Sequence, residues 1–76
     1  VNHEHVKPYE MMNQVERQVW NHRAAQMMKT CGGGFASALA EAFFRADLAN
    51  QARMVGAFAD LFAGYRATAA EQTWPD

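Results

Sequence analysis

The sequence predicts an all-α fold: a small three-helix domain built from a long N-terminal helix and a helical hairpin. Three observations carry this. Apolar residues recur at helical spacing through most of the chain, the pattern of helices that each bury one face. No stretch alternates apolar with polar residues, and β-branched residues are few, so no strand is expected. One break, Cys31-Gly32-Gly33-Gly34, separates the first two periodic stretches, and a glycine run of this kind marks a turn or a joint.

Residues 1–7 are polar and without periodicity, and read as a loose arm. Pro8 falls where proline is tolerated, in a first helical turn, and opens a first helix over 9–30. From Tyr9 to Lys29 there is no Gly or Pro. Met12, Val15 and Val19 share a face at spacings of three and four, and Trp20, Ala24, Met27 and Met28 continue a neighbouring stripe. Lys29 in the last turn suits the negative end of the helix dipole. Gly32 fits the cap, because glycine accepts the left-handed conformation that often ends a helix. Three glycines exceed what a cap requires. Gly32, Gly33 and Gly34 are therefore candidate hinge residues, with a simple tight connection as the plainer reading.

The second helix is expected over 35–46. Phe35, Leu39, Ala42, Phe43 and Ala46 share a face, and Phe44 widens it. Glu41 and Arg45 stand four apart in the favourable order. Continuing the stripe would bring Asn50 and Arg53 into the core, so a break is expected near Asp47, a good N-cap residue. The third helix, 48–66, carries Leu48, Ala52, Val55, Phe58, Ala59, Phe62 and Tyr65 on its apolar side. Gly56 and Gly64 lie within it, each costing roughly 1 kcal/mol relative to alanine. Gly56 is where a division would fall, and the pattern is compatible with one helix or two over 47–66. Residues 67–76 read as a fraying tail, with Trp74 either folded back onto the body or serving as a contact.

A chain of 76 residues is one domain, 1–76. Domains this small bury a modest core and usually add disulfides, metal or oligomerisation. Cys31 is the only cysteine, which excludes an internal disulfide and fits a reducing, cytosolic compartment. Oligomerisation is left, and a homodimer or higher oligomer is expected. The net charge of −1 argues against a nucleic-acid binder, which needs a basic face, and against an electrostatic membrane anchor. The longest mainly apolar stretch, Gly32 to Phe44, is interrupted by Ser37 and Glu41. It is shorter than the roughly 20 residues that span a bilayer. No charged segment followed by an apolar run opens the chain, so no secretory signal is expected.

Candidate chemistry is sparse. His3-Glu4-His5 resembles a ligand cluster, but zinc needs three or four ligands in fixed geometry, and this one sits in the arm. His22 and Cys31 stand at no metal-ligand spacing. As a nucleophile and base pair they are also disfavoured, since a thiolate prefers a helix N-terminus to a C-terminus. Cys31 reads as a passive, partly buried thiol. The glycine run lacks the preceding strand and the lysine of a phosphate loop. A helix-turn-helix around Asp47 would present Asn50, Gln51, Arg53 and Arg66, together with Asp60, too few cations for DNA. No catalytic, cofactor-binding or metal residue is assigned, and no cofactor is expected.

The methionines and aromatics are the stronger signal. Met11, Met12, Met27, Met28 and Met54 are adaptable side chains, and Phe35, Phe43, Phe44, Phe58, Phe62 and Tyr65 bring large apolar area. Core is the default assignment, yet a chain this short is strained to bury all of them with Trp20. Met12, Val19, Trp20, Met27, Phe44, Phe62 and Tyr65 are the candidate interaction residues, with helix-in-groove contact as the matching mode.

The segment from Gly33-Gly34-Phe35 through Arg45-Ala46-Asp47, with Asn50-Gln51-Ala52-Arg53 and Phe58-Ala59-Asp60-Leu61-Phe62-Ala63-Gly64-Tyr65, resembles a family of short helical phage and prophage proteins. The resemblance spans residues 33–65. Its pattern has proline where this chain has Ala59; proline there would end a helix after Phe58. The resemblance implies phage origin, and with it a host-cell cytoplasmic setting; it implies no activity and no functional residues. The expected function is a non-enzymatic protein that binds or inhibits a host protein through an apolar helical face. The alternative is a structural homo-oligomer of a phage particle; a nucleic-acid-binding helical protein is the remaining reading.

Overall fold

Asn13 determines where the first helix begins. In the computed structural model, which describes residues 7–72, its side-chain oxygen accepts the Glu16 backbone N–H at 2.8 Å. The Glu16 carboxylate in turn accepts the Asn13 backbone N–H at 3.0 Å. This capping box satisfies two donors that a helix start leaves open, and α1 runs Gln14–Cys31. The expected start at Tyr9 is thus corrected. Pro8 opens only a 3-10 turn, Tyr9–Met11, and Met12 is extended before the cap.

Lys7 joins Glu16 at 3.0 Å. The Asn13 N–H, and then Lys7, hold the Glu16 carboxyl below its ordinary pKa. A carboxylate depressed in the folded state stabilises the fold above its unfolded pKa, and that contribution is lost as pH falls through the folded value. Stability is therefore expected to decline on acidification below the ordinary carboxylate range. Melts recorded down the acid limb should show a shallower decline for Glu16→Gln than for wild type. Asn13→Ala is expected to cost about 0.5–2 kcal/mol in the same melts.

Three further helices follow: α2, Gly34–Arg45; α3, Leu48–Ala57; and α4, Ala59–Ala70. The described chain is helical and without strands, as expected, but it has four α-helices where three were anticipated. Asp47 caps α3, its carboxylate accepting the Asn50 N–H at 2.8 Å. The division between α3 and α4 falls at Phe58, with φ −118° and ψ 42°. Hydrogen bonding nearly survives it: the Phe58 N–H donates to Met54 O at 2.9 Å, and Phe58 O accepts the Phe62 N–H at 3.0 Å. The bend lays α4 along α1, where Phe62 and Ala69 are fully buried. Residues 67–70 thus belong to the fold and not to a fraying tail. The histidines of the arm, His3 and His5, and Trp74 lie outside the described residues.

α1 is central, packed against both α2 and α4. The core joins Ala24, Ala25, Met28, Ala36, Ala40, Phe43 and Phe62, with the Phe43 and Phe62 rings 5.3 Å apart. Alanines on facing helices let the backbones approach, and the two phenylalanines fill the space between them. The buried faces match expectation in part: Ala24, Met27 and Met28 of α1 and Phe43 of α2 are inside as expected. On α1 the inner stripe is Asn21, Ala24, Ala25, Met27 and Met28, while Val15 and Val19 are exposed. On α2 it is Ala36, Ala40 and Phe43, and Phe35 is 65% exposed. Glu41 pairs with Lys29 across the α1–α2 contact, at 3.2 Å, and not with Arg45.

The connection between α1 and α2 also works differently. Gly32 is extended, at φ −79° and ψ 163°, and no described glycine has positive φ. Glycine is required at 32 by close approach. A Cβ there would lie 2.5 Å from Met28 O, 2.6 Å from Ala36 Cβ and 3.0 Å from the Tyr65 hydroxyl. Gly33 and Gly34 have open space where a Cβ would stand. No helix among the described residues is long and apolar enough to cross a membrane.

Candidate functional site

The residues singled out for interaction separate into three groups. Met12, Met27 and Phe62 are buried, Phe62 completely and within the core cluster. Trp20 and Tyr65 are half-buried. Val19 and Phe44 are exposed, at 42% and 38%. Val15, Val19 and His22 lie on one side of α1 at helical spacing. The His22 ring stands 5.1 Å from Phe43 and 6.0 Å from Phe44. His22 Nδ1 lies 2.9 Å from Gln18 O, which anchors the ring. An apolar strip therefore runs from Val15 and Val19 over His22 to Phe44.

Beside this strip a groove of about 340 Å³ lies between α1 and α3. One wall is polar: Gln14, Arg17, Gln18 and Asn21 of α1. The other is mostly apolar, with Leu48, Ala52 and Val55 of α3 and Phe43 of α2. Gln51 contributes to the groove and donates to Phe43 O at 2.9 Å, tying α3 to the end of α2. Among the described residues no acidic side chain lines it. Met54 and Val55 of α3 are half-buried against the core. Although apolar along one side, α3 buries none of its residues, and Leu48 is 64% exposed.

Tyr9 closes one end of the groove through a cluster that helical periodicity did not disclose. The Tyr9 ring lies between two guanidinium groups, Arg17 Cζ at 5.0 Å and Arg66 Cζ at 3.7 Å from its centroid. Asn21 donates to the Tyr9 hydroxyl at 3.1 Å and accepts from Arg66 at 2.7 Å. Arg17 donates to the carbonyls of Tyr9 and Glu10 at 3.2 and 3.3 Å. Burial, chiefly, pushes the Arg66 pKa below the ordinary arginine value; Tyr9 opposes this and Arg17 adds to it. The one sequence signal for the cluster is Asn21, a polar residue set within the buried stripe of α1.

Other sequence-level candidates come apart in three dimensions. Cys31 is exposed and not partly buried. It lies nine residues beyond His22 on α1, about 13 Å along the axis at 1.5 Å per residue, so the two form no dyad. Arg53 donates to Asn50 within α3 at 3.2 Å, whereas Arg66 stands on α4 against Tyr9. The basic residues of a recognition helix are thereby divided between two elements. Among the described residues no group of three or more His, Cys, Asp or Glu side chains is placed to hold a metal ion. The assembled surface supplies amide groups, a guanidinium and apolar walls. Comparison with protein-family models, with curated proteins and with solved structures finds no match to this chain.

Proposed function

We propose that this chain is a non-enzymatic interaction protein that receives an amphipathic helix of a partner in the α1–α3 groove and on the adjoining strip. The observation that carries this reading is α3, a helix with an apolar side that buries none of its own residues and faces α1 across an open groove. A partner helix would lay its apolar side on Leu48, Ala52 and Val55 and its polar side toward Gln14, Arg17 and Gln18. The resemblance to short phage proteins makes a host protein the expected partner and interference with that protein the expected outcome.

The test is a variant carrying Val19→Glu and Leu48→Glu. Both positions are exposed, so its helical spectrum should match wild type and its stability should change little, within roughly 0.5 kcal/mol per site. Wild type should capture one host protein in fixed ratio and reconstitute with it when both are purified, and the variant should do neither. Light scattering decides the assembly alternative. A mass above monomer that holds across concentrations, and is lost in the variant, would assign the same surface to a second copy. A monomer with no stoichiometric partner would sink the proposal.

A further inference from the structure

On the far side of Tyr9 from the groove, a second cavity of about 250 Å³ opens between the 3-10 turn, α1 and α4. Lys7, Tyr9, Met12, Trp20, Ala63 and Arg66 contribute to its walls, and among the described residues no acidic side chain lines it. Arg66 is its unusual member. This half-buried cation stacks on Tyr9 and bonds to a neutral amide oxygen of Asn21. That bond uses one of the five N–H donors of a guanidinium. The ion pairs among the described residues are Lys7–Glu16 and Lys29–Glu41, so Arg66 has no carboxylate partner there. A partly desolvated cation without a counter-charge is the costly half of an ion pair, and a carboxylate completes it in a bidentate fork. Lys7, paired with Glu16, is the second cation lining the cavity.

We propose that this cavity binds a small carboxylate carrying an aromatic or branched aliphatic body. The carboxylate meets Arg66, and the body lies against Tyr9, Trp20 and Met12. The volume is below the roughly 300–1,000 Å³ of sites for drug-sized ligands, which limits the body to a single ring or one side chain. A free aromatic acid and the C-terminal residue of a peptide both carry this chemistry. The site is distinct from the α1–α3 groove and does not depend on the function proposed for it.

The experiment titrates the full chain with 3-phenylpropionate, with its neutral amide, and with acetyl-Ala-Ala-Phe bearing a free C-terminus. Binding is followed by calorimetry and by the Trp20 indole resonance, assigned with Trp20→Phe. The acid is expected to bind saturably and to shift that resonance, with the amide weaker by about tenfold or more. Lys7→Gln should weaken the acid a few-fold, and Arg66→Lys, which keeps the charge and loses the fork, should weaken it further. Binding by the tripeptide as well as the acid assigns a peptide terminus as a source; binding by the acid alone assigns a free small molecule. Equal affinity for acid and amide, or no saturation by the acid, overturns the proposal. If Arg66→Lys fails to fold, the acid–amide contrast and Lys7→Gln still decide it.

Discussion

Phe62→Ala is expected to destabilise the fold by about 3–5 kcal/mol, the usual cost of removing a buried aromatic ring. Phe62 is fully exposed to the core and not at all to solvent, with its ring 5.3 Å from that of Phe43. It is also the one large side chain of α4 that is fully buried, beside Ala69. A domain of 76 residues has a total stability of roughly 4–11 kcal/mol, so one substitution removes a third of it or more. Each kcal/mol moves the melting temperature by about 4–8 °C in a domain of this size, and a large drop should be visible in a thermal melt by circular dichroism. Val19→Ala is the control. Its side chain is 42% exposed, and its effect should stay near 0.5 kcal/mol, the ordinary range for surface changes. A Phe62→Ala protein melting with wild type would show that α4 does not depend on this contact.

Two glycines of the same run, two positions apart, should respond with opposite sign. Gly32→Ala is expected to destabilise by about 1–3 kcal/mol, the cost of forcing an extra carbon into a packed position. Two of the atoms its Cβ would meet are Met28 O, in the backbone of the last turn of α1, and Ala36 Cβ of α2, so relief requires the backbone of the connection to shift. Gly34→Ala is expected to stabilise by about 0.4–1 kcal/mol, because alanine restricts the unfolded chain and fits the helical conformation. Gly34 is the first residue of α2 and has open space around it. Denaturant titration of both variants measures the difference. Equal effects at 32 and 34 would return the run to the role of a flexible joint.

The glycine run illustrates how far local reading reaches. Its place between two helices is evident from composition. Which glycine is indispensable is set by Ala36 and by the Tyr65 hydroxyl, which arrive from α2 and α4. The start of α1 is a different case. Asn13 and Glu16 form a capping box that stands in the sequence three residues apart, and Pro8 drew the boundary to the wrong turn. The break at Phe58 has no proline or glycine at the residue itself. It follows from the burial of Phe62 and Ala69 against α1, a gain no window around residue 58 contains.

By itself the sequence determined the helical class, the absence of strand pattern, the turn after Cys31 and the cap at Asp47. These are consequences of short-range periodicity and of side chains bonding to backbone a few residues away. Tertiary structure decided how each apolar set divides between inside and outside. On α1 and α2, Ala24, Ala25, Ala36 and Ala40 are buried beside Met28 and Phe43, while Val15, Val19 and Phe35 stay exposed. The Tyr9 cluster was equally beyond local reading: Arg66 reaches Asn21 across 45 residues of chain, and such a contact exists only once the helices have packed.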